Sequence, residues 1–196
     1  MEYTASATYA TGYPNTGTYA NNGMSVVTGL NTSVTQNINL PNNWSIFSTY
    51  IVPQNLNISN VLSPIVSSVI IAKAENGNVY WPPYGVNNIG DMVTGKGYQL
   101  KLTSAQVLAV NGMAVVPEAT PLTIPSGWGI LGYLRTSQAS IVTLMSPVIN
   151  NIIIMKDGDG NAYWPEYGVN QIGNMTPGKG YQMKAGASFT YTYPAN

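Results

Sequence analysis

The chain has 196 residues, with seven acidic and seven basic side chains and no Cys or His. Charged residues make up 7% of it, against roughly 25% in ordinary globular proteins. This balance lacks the electrostatic footprint of a nucleic-acid binder, and without Cys there is no disulfide framework. Without His the commonest general base and transition-metal ligand are missing too. No apolar run approaches the roughly 18 residues of a membrane span. Polarity comes instead from Asn, Thr, Ser, Gln and Tyr, as on surfaces that pack against other chains or face the outside of a cell or particle.

Residues 1–36 carry one charge, Glu2, and scattered Tyr3, Tyr9, Tyr13 and Tyr19 with turn formers between them. The segment holds too little aliphatic surface to fold alone. It reads either as a disordered tail or as an extended arm that adds a strand to another sheet by self-association or on a larger shell or fibre. Met1 to Thr4 lack the basic and apolar regions of a signal peptide, so either a signal was removed or the protein reaches its destination by assembly.

Beyond the arm the chain is written twice. Tyr80-Trp81-Pro82-Pro83-Tyr84-Gly85-Val86-Asn87 returns as Tyr163-Trp164-Pro165-Glu166-Tyr167-Gly168-Val169-Asn170, and Gly95-Lys96-Gly97-Tyr98-Gln99 returns as Gly178-Lys179-Gly180-Tyr181-Gln182. Upstream, Pro41 and Trp44 pair with Pro125 and Trp128. A fixed shift of this kind means two copies of one unit. The expected domains are residues 37–120 and 121–196 after the arm at 1–36.

Each copy opens on a strand, residues 44–50 and 128–133. A short helix follows at 59–66 and 140–149, with Val61, Leu62, Ile65 and Val66 on one side, and Ser63-Pro64 and Ser146-Pro147 kink or shorten it. Then come a buried strand (69–73 and 152–156), a Gly-bearing turn, the Tyr-Trp-Pro strand end and the Gly-Lys-Gly-Tyr-Gln strand. Residues 107–116 read as a hairpin around Asn111-Gly112. Phe189, Tyr191 and Tyr193 alternate as a final strand. The expected fold class is mainly β, α+β within each repeat with one short helix each, as a tandem duplication.

Gly90 to Lys96 fills seven places of the Walker A pattern, and Gly173 to Lys179 repeats it. The eighth place fails, since Gly97 and Gly180 stand where a Ser or Thr must bind magnesium. A glycine turn feeding an edge strand, with its Lys in water, is the better reading. Asp157-Gly158-Asp159-Gly160-Asn161 begins like a calcium loop but lacks the distal Glu, and a hairpin turn explains it; no metal or cofactor is claimed.

All four Trp are repeat-paired. One Trp covers much of a small interior, so core plugs are the favoured reading. The rival is that Trp81, Trp164, Tyr84 and Tyr167 contact a glycan or a partner. Every Lys is also paired, which suits stems packed over the aromatics. Asp91 pairs with Asn174, and no nucleophile and base converge, so the chain does not read as an enzyme.

The Pro-x-x-Trp…Gly-Tyr pattern and the close through Pro177-Gly178-Lys179-Gly180-Tyr181 resemble small β-rich modules of bacterial secreted surface proteins. The fuller form, Lys156-Asp157, Gly160, Tyr163-Trp164-Pro165 and Gly168-Val169-Asn170, is most similar to Bacteroidetes-type examples, including those of their phages. The first copy departs from it at Asn43-Trp44-Ser45 and at Thr94. The resemblance implies a structural and adhesive accessory with no catalytic residues. The expected function is a non-enzymatic assembly protein on a virion exterior, a phage head decoration or fibre-like protein. The alternative is a secreted cell-surface adhesive or carbohydrate-binding module.

Overall fold

The computed structural model describes residues 18–19, 25–26 and 32–196. Thr18–Tyr19 (β1) pairs antiparallel with Ser25–Val26 (β2). The rest of the arm, with Tyr3, Tyr9 and Tyr13, lies outside the described residues.

Residues 33–196 form one compact unit, mainly of antiparallel strands. The first copy contains Val34–Leu40 (β3), Asn43–Phe47 (β4), Ile51–Pro53 (β5), Val69–Lys73 (β6), Val79–Trp81 (β7), Val86–Asn87 (β8), Tyr98–Leu102 (β9) and Gln106–Ala114 (β10). The second contains Leu122–Ile124 (β11), Gly127–Gly132 (β12), Ala139–Ser140 (β13), Ile152–Lys156 (β14), Ala162–Trp164 (β15), Val169–Asn170 (β16), Asn174–Met175 (β17), Gly180–Ala185 (β18) and Phe189–Tyr191 (β19).

The main sheets have the orders β4-β9-β6-β7-β8 and β12-β18-β14-β15-β16, which are the same order under the repeat shift. Even the irregularity repeats: the register slips between Val69 and Ile71 in one copy and between Ile152 and Ile154 in the other. A smaller ladder joins the strand before each main sheet to the strand after it, with Leu40 opposite Gln106 in β3–β10 and its counterpart Ile124 opposite Phe189 in β11–β19. The fold is thus a tandem duplication of a small β-rich unit.

Period-two alternation sets the core. In β9, Tyr98, Leu100 and Leu102 turn inward, while Gln99 and Lys101 stay half-buried on the outer face. In β18, Tyr181, Met183 and Ala185 repeat this. The arm ends sooner than residue 36, because Gln36, Ile38 and Leu40 already alternate inward along β3. The buried Gln36 is held there by its carbonyl Oε1, which accepts from Thr49 Oγ1 and from the Tyr50 N–H.

Each helix is short. Ile58–Val61 (α1) and Ile141–Met145 (α2) give way to 3-10 turns at Ser63–Ser68 and Ser146–Asn151, where Pro64 and Pro147 enter at the first turn. Asn57 caps α1, accepting from the Ser59 N–H. The change of helical pitch takes Val66 off the apolar side, so it is exposed where sequence spacing placed it with Val61, Leu62 and Ile65.

The hairpin expected at Asn111-Gly112 does not form. β10 runs straight through it and exchanges one partner for another, with Gly112 opposite both Val34 and Pro53. A Cβ on Gly112 would lie 2.2 Å from the Val52 carbonyl oxygen. The glycine therefore serves a close backbone approach and not a turn.

The two copies meet edge to edge around an approximate two-fold. Phe47 bridges to Lys179, and their counterparts Leu131 and Lys96 bridge in the same way. The Ser48 N–H donates to the Gly178 carbonyl at 3.0 Å, and the Gly132 N–H donates to the Gly95 carbonyl at 2.8 Å. At the centre Gly97 and Gly180 touch: a Cβ on Gly97 would sit 3.2 Å from Gly180 Cα.

Buried phenols fill much of the second copy. Tyr191 Oη donates to the Leu144 carbonyl and Tyr193 Oη to the Gly132 carbonyl, both at 3.0 Å. Burial pushes Tyr98, Tyr133, Tyr181, Tyr191 and Tyr193 above the ordinary value of 10.0. A hydrogen bond to Asp159 likewise raises Lys179 above 10.5. In every case the folded pKa lies above the unfolded one. That stability is complete below the unfolded value and is lost as pH rises through the folded one. Thermal melts should therefore hold level from about pH 6 to 9 and fall above about pH 10. A midpoint that is unchanged at about pH 11 would contradict the burial of these phenols.

Candidate functional site

The expectation that the tryptophans plug the core is overturned, because all four face solvent. Trp81 and Trp164 are each 37% exposed, Trp44 is 43% and Trp128 is 51% exposed. Strand parity is the cause. In the Tyr-Trp pairs only one of two adjacent residues can face inward, and the inward ones are Tyr80 and Tyr163.

Trp81 and Trp164 end β7 and β15, and the chain then leaves the sheet through a 3-10 turn, Pro82–Tyr84 or Pro165–Tyr167. Gly85 and Gly168 close these turns with φ of 67° and 65°, a conformation that disfavours side chains. Trp81 and Val86 are opposite in register, as are Trp164 and Val169, so each turn is the tip of a hairpin. The turn brings Tyr84 against Trp81 with ring centres 4.4 Å apart, and Tyr167 against Trp164 at 4.6 Å. Tyr84 and Tyr167 are 70% and 64% exposed. Each copy thus carries one solvent-facing Trp–Tyr platform on a hairpin tip, and the four candidate residues form two pairs.

Other repeated residues have tasks within the fold. Asn87 Oδ1 accepts the Gly90 N–H and Asn170 Oδ1 accepts the Gly173 N–H. Tyr98 Oη accepts from the Val93 N–H and Tyr181 Oη from the Thr176 N–H, each at 2.8 Å. Among the described residues no such contact explains the exposed rings of Tyr84 and Tyr167.

The Walker-like lysines are ion-paired and do not stand at a sheet edge, although Lys179 is exposed to water as expected. Lys96 Nζ lies 2.6 Å from Glu75 Oε1, and Lys179 Nζ lies 2.9 Å from Asp159 Oδ2. The strands they introduce, β9 and β18, are paired on both sides. Each lysine ties its glycine turn to the hairpin turn of its own copy. In the calcium-like loop, Asp157 Oδ1 accepts the N–H groups of Asp159 and Asn161, and Oδ2 accepts from Asn161 Nδ2. Its oxygens hold the turn, and among the described residues no three carboxylates cluster as a metal site would require.

A second set of exposed aromatics stands on the outer faces of the main sheets. Lys73 Nζ and Lys101 Nζ lie 5.3 and 5.7 Å from the Trp44 ring centre, and Lys156 Nζ lies 5.9 Å from that of Trp128. These are cation–π distances.

No family model, curated protein or solved structure matches the chain. No helix among the described residues is long and apolar enough to cross a membrane.

Proposed function

We propose that the chain is a non-enzymatic structural protein of an exterior, a phage head decoration or fibre-like protein, whose contacts run through the two Trp–Tyr platforms. The observation that carries this reading is the same solvent-facing aromatic pair built twice, on two hairpin tips, with no hydrogen bond or ion pair to it among the described residues. Exposed aromatics of this kind concentrate contact energy, because they are large and lose little side-chain freedom on binding. Three of the seven carboxylates have tasks in the fold: Glu75 and Asp159 in ion pairs, Asp157 in its own turn.

The exposure of Trp81 and Trp164 also favours a second reading, a secreted cell-surface adhesive or carbohydrate-binding module, since an indole stacks on sugar rings. Capsid and tail genes beside the coding sequence would support the first reading. Retention on an array of neutral glycans, lost in the Trp81→Ala/Trp164→Ala double variant, would support the second. Turnover of any glycan by the purified chain would contradict both.

A further inference from the structure

The outer faces of the two main sheets meet in a groove that is separate from the Trp–Tyr platforms. Two adjoining depressions of about 380 and 320 Å³ share Lys73, Gln99, Lys156 and Gln182. Trp128 lines one and Trp44 the other, so the groove follows the two-fold relation of the copies. Register explains the convergence. Gln99 stands between Ile46 and Lys73 across the first sheet, and Gln182 stands between Ile130 and Lys156 across the second.

Positive charge predominates here, with Glu75 lining one depression and Asp157 the other. Lys101 lies opposite Trp44 and Lys184 opposite Trp128, so four of the seven basic residues stand on these faces. Among the described residues, none of Lys73, Lys101, Lys156 and Lys184 has a carboxylate partner, because the two ion pairs use Lys96 and Lys179. The acids nearby are already engaged. Glu75 binds Lys96 and also accepts the Ile130 N–H of the other copy at 2.8 Å, while Asp157 accepts from its own turn. In a chain this poor in charge, ammonium groups with no carboxylate partner, held only by cation–π contacts to half-exposed indoles, are a local excess of positive charge.

We infer that this groove binds an acidic polysaccharide, in which a sugar ring lies on Trp44 or Trp128 and its carboxylate or sulfate meets Lys73 or Lys156. An indole takes the apolar face of a pyranose, an ammonium takes the anion, and the Gln99 and Gln182 amides suit hydroxyl groups. An extended single-stranded nucleic acid would ask for a wider basic field than a chain with balanced acids and bases provides.

The test is titration of the intact chain with polygalacturonate and with dextran sulfate, against neutral dextran and oligo-dT, followed by tryptophan fluorescence and calorimetry. Polygalacturonate or dextran sulfate, according to which anion the groove takes, should bind in a salt-sensitive way. Lys73→Gln/Lys156→Gln should weaken that binding about tenfold or more, since two charge-assisted contacts go. Trp44→Ala/Trp128→Ala should weaken it as well, whereas Trp81→Ala/Trp164→Ala should leave it unchanged, which separates this site from the platforms. The lysine variant should stay folded and melt close to the parent, because these lysines make no ion pair and lose only exposed cation–π contacts. Failure of both acidic polymers to bind, equal binding of neutral dextran, or tighter binding of oligo-dT would overturn the proposal. So would a dimer in sedimentation equilibrium that the lysine variant dissociates, since the face would then belong to a second copy.

Discussion

Tyr181→Ala is expected to cost about 3–5 kcal/mol, the range for truncating a large buried aromatic. Its ring is 1% exposed, and its hydroxyl accepts the Thr176 N–H that closes the turn before β18. The loss therefore combines a cavity with an unpaired backbone donor. Trp164→Ala, in the same copy and of similar volume, should cost only about 1–2 kcal/mol, because over a third of its surface is already in water. Urea unfolding of both variants measures the contrast. Equal losses would mean that Trp164 is a core residue after all.

Gly97→Val is expected to cost about 1–3 kcal/mol or more through overpacking. The new Cβ would lie 2.7 Å from Ile130 Cγ2 and 3.2 Å from Gly180 Cα, both in the other copy. Gly180→Val meets the mirrored obstacle, with Ile46 Cγ2 at 2.7 Å and Gly97 Cα at 3.3 Å. Because each glycine touches the other, the double variant should depart from the sum of the singles, as neighbouring sites do. A Gly97→Val protein with the parent's urea midpoint would contradict the meeting of the two copies at this point.

Much of this architecture was legible because the sequence repeats. Shared residues from Tyr80 to Lys101 and from Tyr163 to Lys184 required a shared strand order, and the two main sheets have it. The Ser-Pro steps marked where each helix had to change. The tryptophans differ from the expectation because repetition says that both copies need a residue, not which side of the sheet it faces. The missing signal was parity: Tyr80 and Trp81 are adjacent in a strand and must point oppositely.

Asn111-Gly112 failed for a different reason. A hairpin signal is local, whereas the choice to continue β10 depends on β5, some 60 residues earlier, whose backbone approaches Gly112. The groove was hidden similarly. Lys73 and Lys156 are far apart in sequence, and only the meeting of the two sheets places them along one depression. The Walker-like lysines were legible as structural, but their partners in the hairpin turns were not, since an ion pair across about 20 residues has no sequence spacing of its own.

The central claim is that the paired aromatics on the hairpin tips are contact surfaces and not core. The most direct test is the Trp81→Ala/Trp164→Ala double variant, compared with the parent for unfolding and for retention on an array of neutral glycans or on the particle that carries it. The variant should stay folded with a single unfolding transition, at a cost of about 1–2 kcal/mol per site, and should lose retention. A variant that unfolds, or one that stays folded and is retained as well as the parent, would contradict it.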